Sequence, residues 1–168
     1  MTFGKRLTPL LLVGAICSVL DQYTKWLART QLVDGEVHTY LGDTFRLQLA
    51  HNYGAFLSLG ASLPEFWRQA IWTVGVGGVL TALLIYALIG KSVTRGMLWA
   101  FALILAGGAN NLYDRIAYGG YVIDFMNAGI GPVRTGIFNI ADIAIMAGAF
   151  VALGGAFFES RGAKPAAI

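Results

Sequence analysis

The sequence predicts a membrane all-α protein: a four-helix transmembrane bundle with a small extramembrane β-sheet cradle. Three observations lead there. Of 168 residues, 57% are hydrophobic and only 12% are charged, about half the charged share of a soluble domain. The apolar residues gather in long runs at about 7–28, 65–89, 97–113 and 138–158, each near the length that a bilayer demands. Between them lie two more polar stretches, about 36–60 and 115–136, whose patterns read as strands of an outer cradle. At 168 residues the chain is expected to form a single integral membrane domain.

The net charge of +3 does not point to nucleic acid, because the basic residues are not clustered as a binding footprint requires. They sit at the ends of apolar runs and act as a topology signal. One set of flanks holds Lys5, Arg6, Lys91, Arg95, Arg161 and Lys164 against Glu159 alone, while the other set holds more acids than bases. Both termini are therefore expected inside and the cradle outside. Cys17 stands alone in an apolar run and reads as a small buried hydrophobe. His38 and His51 are far apart and lack ligand spacing, so no metal or organic cofactor is implied.

Lys5 and Arg6 precede the run Leu7 to Leu20. This looks like the start of a secretory signal peptide, but no small-x-small cleavage motif follows. An uncleaved first span is expected, continuing through Asp21-Gln22-Tyr23-Thr24-Lys25-Trp26. Asp21 and Lys25 share a helix face at i,i+4 and can pair, and Trp26 suits the interfacial aromatic belt. Phe45-Arg46-Leu47-Gln48-Leu49 alternates as a half-buried strand does, and Asn52-Tyr53-Gly54-Ala55 ends it with a turn. Ser62-Leu63-Pro64-Glu65 reads as a helix start, with Ser62 capping and Glu65 at the capping-box position. Gly75, Gly77 and Gly78 offer a surface for close helix approach. The third run ends in the polar group Asn110 to Arg115 at interface depth. Ile116 to Ile123, with Gly119-Gly120 at its centre, reads as a β-hairpin, which puts Asp124 on one strand face with Val122 and Met126. Gly129, Gly131, Pro132 and Gly136 form a loop before the last span.

Asn110, Asn111, Asp114, Arg115, Asp124, Asn139 and Asp142 crowd the stretch from Gly107 to Asp142. Ionisable groups at or inside a membrane are costly, so such a cluster is a candidate functional site. Structural readings stand beside this one. Asn139 and Asp142 have the spacing of a helix cap and its reciprocal partner, and Asp114 with Arg115 reads as a turn salt bridge. Asp124, between Ile123 and Phe125, wants a partner. Two carboxylates brought together do not both ionise easily, which yields an acid and a base at neutral pH. Attack of water on an amide needs that pair. Buried acids also serve proton relays, so a proton-coupled membrane transporter or channel subunit is the competing class. A relay would spread its acids toward mid-membrane, whereas Asp114, Asp124 and Asp142 lie at one side.

The chain resembles the bacterial lipoprotein signal peptidases, or signal peptidase II. The resemblance rests on Asp21-Gln22-x-x-Lys25, Asn52-x-Gly54-Ala55, Asn111-Leu112-Tyr113-Asp114-Arg115, Val122-Ile123-Asp124-Phe125 and Phe138-Asn139-Ile140-Ala141-Asp142. It implies an aspartyl endopeptidase; with the topology read from the basic residues, a multi-pass protein of the bacterial inner membrane is expected, its active site at the periplasmic face, and a monomer is expected. The implied substrates are prolipoproteins, cut just before a diacylglyceryl-modified cysteine. The family's catalytic aspartates match Asp124 and Asp142. Its substrate-binding or site-orienting residues match Asn52, Gly54, Asn111, Arg115 and Asn139, while Asp21, Lys25 and Asp114 look supportive. The chain departs from the family pattern at Phe56-Leu57-Ser58, where the bulky ring falls one place early, and at Asn110, where glycine is usual. Both departures bear on the shape of the substrate groove. An inactive paralogue that binds lipoprotein precursors is a further alternative, against which stands the retention of both aspartates.

Overall fold

The chain turns the soluble pattern inside out. Val19, Val74, Val79, Ile89, Phe150 and Leu153 are each 68% exposed or more, whereas Asp21, Lys25 and Asp114 are at most 1% exposed. A water-soluble protein hides its large aliphatic groups and keeps most of its charge at the surface, so this much exposed hydrocarbon around buried charge belongs in lipid. The computed structural model describes residues 1–54, 60 and 62–162, with 156–162 as backbone alone. The expectations attached to Ala55, Phe56, Leu57, Ser58 and Lys164 lie outside the described residues, and those attached to Glu159 and Arg161 concern side chains that are likewise outside them.

The first helix, α1, runs over Phe3–Gln31. At about 1.5 Å per residue it is longer than a bilayer's hydrocarbon core. A second continuous helix covers Glu65–Ile89. It comprises α2 (Glu65–Gln69), a π-helical stretch (Ala70–Gly75) and α3 (Val76–Ile89). Helix α4 spans Arg95–Ala117 and α5 spans Ile140–Gly162. Among the described residues, α1 and Glu65–Ile89 are long and apolar enough to cross a membrane, and α5 is apolar over Ile140–Gly155.

Strands β1 (His38–Tyr40), β2 (Phe45–Asn52), β3 (Val122–Ile130) and β4 (Val133–Arg134) form an antiparallel sheet in that order. The β2–β3 register runs from Phe45 opposite Ala128 to Asn52 opposite Val122, with a shift between Leu47 and Ala50 that sets Ala50 opposite Asp124. The sheet packs on the end of α1 through Ala28, Phe125, Met126 and Phe138.

Several expectations are corrected here. No hairpin forms around Gly119-Gly120: Ile116 and Ala117 remain in α4, and the Gly120 amide closes the helix end on the Arg115 carbonyl at 2.8 Å. Both glycines have positive φ, 72° and 101°, which lets the chain reverse into β3 without strain. The hairpin lies one step later. Gly129 belongs to β3, and Gly131-Pro132 is the turn between Ile130 and its partner Val133. Ser62 does not cap the second helix, whose cap residue is Pro64 without a side-chain bond. The third apolar helix starts earlier and ends later than its run of hydrophobes, since Thr94 caps it by accepting the Met97 amide and the polar residues Asn110 to Arg115 continue its last turns.

The close helix contacts also lie elsewhere than at Gly75, Gly77 and Gly78. A Cβ at Gly78 would meet nothing within 4 Å, and one at Gly77 only Leu112 at 3.6 Å. The tight seam joins α4 to α5. A Cβ on Gly148 would sit 2.6 Å from the Ala100 carbonyl oxygen, and one on Gly107 would run into the Ala141 carbonyl. Helices in lipid gain little from hydrophobicity and associate by close packing at such small residues. Gly148→Ala should therefore lower the thermal midpoint in detergent, at a cost of ~1–3 kcal/mol. Gly154→Ala, on the same helix but with open space around it, should leave the midpoint unchanged or slightly raised. Equal midpoints for the two variants would show that the seam is not tight.

Candidate active site

The site forms where the chain leaves the sheet for α5. Phe138 bonds to Met126 in both directions, at 2.9 and 2.8 Å. This brings Asn139 alongside Asp124. Asn139 then caps α5: the Asp142 amide donates to Asn139 Oδ1 at 2.9 Å, and the Asn139 amide donates back to Asp142 Oδ2 at 3.1 Å. The reciprocal cap is thus real, and it does not compete with a role in the site. The same Asn139 side chain donates through Nδ2 to Asp124 Oδ1 at 2.7 Å.

Each carboxylate oxygen of the pair has its own donor. Asp124 Oδ2 accepts from Asn52 Nδ2 at 3.0 Å, and Asp142 Oδ1 accepts from Asn111 Nδ2 at 2.8 Å. Neighbours fix how these amides point. The Gly54 amide donates to Asn52 Oδ1 at 2.9 Å. Asn111 Oδ1 accepts from Lys25 Nζ and from Asn139 Nδ2, both at 3.1 Å. Arg115 donates to the Gly54 carbonyl at 2.7 Å and the Asn111 carbonyl at 3.1 Å, while its Nε is buried without a partner among the described residues. A buried unpaired donor is expensive, and this one belongs to a side chain that lines the cavity over the aspartates.

Behind the pair lies an ion cluster. Lys25 Nζ sits 2.7 Å from Asp21 and 2.8 Å from Asp114. The expected i,i+4 pair is present, but Asp114 does not pair with Arg115 as the sequence suggested. Helical geometry explains this: Asp114 and Arg115 lie about 100° apart around α4, so they address different neighbours. Asp21 Oδ1 also accepts the Ala141 amide at 2.9 Å, and Asp114 accepts from Gln22 Nε2 at 3.0 Å and the Ile123 amide at 3.2 Å.

The cavity has a volume of about 330 Å³. Asn52, Asn111, Arg115, Asp124 and Asp142 form its polar floor, and Trp72, Val76, Ile145, Met146 and Ala149 its apolar wall. Sequence reasoning missed that wall, although the signal existed. Asp142, Ile145, Met146 and Ala149 have the i, i+3, i+4, i+7 spacing of one helix face. Trp72 lies in the π-helical stretch, a local widening that often marks a site and that the sequence does not announce. Asn110 faces α1, donating to Ser18 Oγ at 3.1 Å and to the Ala106 carbonyl at 2.8 Å. It does not line the cavity. Arg6, read only as a topology residue, is buried and donates to the Ala87 carbonyl at 2.9 Å.

The family description "Signal peptidase (SPase) II" matches residues 13–158. The chain belongs to the signal peptidase II family. A lipoprotein signal peptidase of Janthinobacterium sp. (strain Marseille) is 39% identical over 141 residues, covering 84% of this chain and 83% of that protein. One from Francisella tularensis subsp. novicida is 36% identical over 142 residues, covering 84% and 86%. A solved bacterial membrane enzyme, determined by the in meso method at 2.3 Å resolution, superposes with a TM-score of 0.80 at 22% identity, over 95% of this chain and 93% of that one. At that identity the likeness is one of fold. That neighbour is described as a membrane enzyme, and two helices here are long and apolar enough to cross a membrane among the described residues.

Burial pushes the Asp124 carboxyl up to about 7, and the charge of Asp142 adds to the rise against the opposing pull of Asn52, Asn139 and Lys25. The folded state thus holds this proton more tightly than the unfolded chain, whose aspartates titrate near about 4. Stability contributed by the neutral form is present below about 4 and is lost as pH rises to about 7. Asp124→Asn, which never ionises, should gain stability relative to the parent by ~1 kcal/mol or more between about pH 5 and about pH 8. Thermal midpoints of both proteins across that range test it, and parallel curves would rule out the raised carboxyl.

Proposed function

We propose that this chain is an aspartyl endopeptidase that removes signal peptides from membrane prolipoproteins, cleaving before the diacylglyceryl-modified cysteine. One observation carries the reading: Asp124 and Asp142 line a single cavity, with all four carboxylate oxygens held by amide donors. Near neutral pH the pair carries one proton. The ionised aspartate takes a proton from a water that attacks the scissile carbonyl, while the neutral one donates a hydrogen bond to the carbonyl oxygen. Collapse of the tetrahedral adduct breaks the C–N bond, and the departing amine receives a proton from the pair. Asn111 and Asn139 orient the aspartates, Asn52 steadies Asp124, Gly54 holds Asn52 through its amide and Arg115 through its carbonyl, and Arg115 presents its remaining donor to the substrate backbone. Asp21, Lys25 and Asp114 support the floor from behind.

In this reading α1, Glu65–Ile89, α4 and α5 are four spans of a bacterial inner membrane, and the chain acts as a single integral domain and a monomer. Both termini lie on the cytoplasmic side, and the sheet and the aspartates lie at the periplasmic face. The flanking basic residues support that orientation. The substrate's acyl chains would lie in the bilayer beside the apolar wall, with the peptide under the sheet.

Asp124→Asn and Asp142→Asn should each cut cleavage of a lipid-modified precursor by the reconstituted protein by about 10²-fold or more, as expected for loss of an essential acid or base. Folding would be monitored by thermal midpoint. Substantial turnover in either variant removes that residue from the chemistry. A precursor with an unmodified cysteine should be cut far more slowly than the diacylglyceryl form at equal surface density. An acyl chain already in lipid gains little on moving to protein, so the modification acts by positioning the scissile bond at interface depth. Equal initial rates would make this a general membrane aspartyl peptidase. No cleavage of either precursor by folded protein would favour an inactive binder or a transport subunit.

A further inference from the structure

We propose that the end of the bundle remote from the aspartates binds one anionic phospholipid by its phosphate. Helices α1 and α4 both begin at this end. Between them lies a cavity of about 340 Å³ whose lining includes Lys5, Thr8, Pro9, Arg95, Leu98 and Trp99. Among the described residues, no carboxylate lines it. Neither Lys5 nor Arg95 has an ion-pair partner among the described residues. The contrast with the adjacent Arg6 is informative, because Arg6 turns inward and spends its guanidinium on the Ala87 carbonyl. Lys5 and Arg95, both exposed, line the same recess; like charges in one recess repel, and an anion seated there would be attracted by both. The amino end of α4 adds its partial positive charge to the same place.

The rest of the lining selects a lipid. Pro9 and Leu98 are buried and make an apolar floor, and Trp99 is about half exposed at the rim. An amphipathic ring at that position suits the headgroup level of a bilayer. Leu11 and Leu12, exposed on α1 just beyond the lining residues Thr8 and Pro9, offer apolar surface where acyl chains would run. Basic recesses between spans on the cytoplasmic side bind acidic headgroups by this combination. The phosphate chemistry is shared with free inorganic phosphate, and the test separates the two sources. The inference rests on the membrane placement proposed above but not on the peptidase reading, so its experiment reads binding rather than cleavage.

Native mass spectrometry would be applied to the full chain, released from detergent with equimolar phosphatidylglycerol and phosphatidylcholine of identical acyl chains. One phosphatidylglycerol should be retained in preference to phosphatidylcholine by about tenfold. In Lys5→Gln/Arg95→Gln the preference should fall to within about twofold, whereas Lys91→Gln, a loop cation outside the cavity, should keep it. Millimolar inorganic phosphate should not displace the lipid. The proposal is overturned by an undiminished preference in the double variant, by equal loss in Lys91→Gln, which would mean diffuse surface charge, or by displacement with phosphate, which would mean a free-anion site. If the double variant does not fold, as judged by its thermal midpoint, Lys5→Gln alone must lower the preference at least about threefold. The charge-keeping pair Lys5→Arg/Arg95→Lys must then retain it.

Discussion

The ammonium of Lys25 is the interaction on which the site depends. It sits essentially without solvent between Asp21 and Asp114, so three charges share one small volume. Leaving any of them unpaired would cost ~3–5 kcal/mol, and that penalty holds the surrounding elements together. Through Lys25 and Gln22, α1 grips the carboxyl end of α4. Through Asp21 it grips the first turn of α5, and Asp114 reaches the start of β3. All the elements that carry the aspartates are thus referenced to one cation. Such a cluster adds little to net stability compared with apolar packing, but it discriminates sharply among helix arrangements because only one satisfies every charge.

The same cation reaches forward into the site. Lys25 donates to Asn111 Oδ1, which forces the Asn111 NH₂ toward Asp142. Asn139 also donates to that oxygen and to Asp124, and its own carbonyl is occupied by the Asp142 amide. Neither amide can flip without facing donor against donor. Two carboxylates that repel each other are therefore held by a preset fence of dipoles rather than by their own attraction. Fixed dipoles cost no reorganisation when charge moves, which is the property that makes them useful in catalysis. The helix cap at Asn139 shows how economical the arrangement is, since the bonds that start α5 also orient Asp142.

Much of this was legible in the chain. The long apolar runs and sparse charge demanded lipid-facing helices, because no other fold could hide so much hydrocarbon in so small a chain. The i,i+4 spacing of Asp21 and Lys25 announced their pairing, and the three-residue spacing of Asn139 and Asp142 announced a reciprocal cap. The misreadings share one cause. Gly119-Gly120 was read as a hairpin turn because local turn chemistry does not reveal whether its flanks continue a helix or a strand. Here the α4 hydrogen bonds run on through Ala117, and β3 finds its partner in β2, far away in the chain. Likewise, glycine clusters reveal that close approach is permitted without saying where it happens. Gly78 meets nothing and Gly77 makes only an ordinary contact with Leu112, while Gly107 and Gly148 carry the α4–α5 seam.

Sequence alone determined what is local or periodic: which stretches are apolar, that Asn139 and Asp142 have the spacing of a reciprocal cap, which residues share a helix face, and which acids are too costly to be incidental. Tertiary structure decided the pairings. That Asp114 belongs to Lys25 rather than to Arg115, that Asn52 reaches Asp124, and that Asn110 turns to Ser18 instead of the cavity are outcomes of how α1, α4 and the sheet pack. The reason is physical. A buried polar group must find a partner, but its type and spacing say only that one is needed. Which partner it finds depends on distances between elements that are far apart in the chain, and those distances exist only once the helices have closed around Lys25.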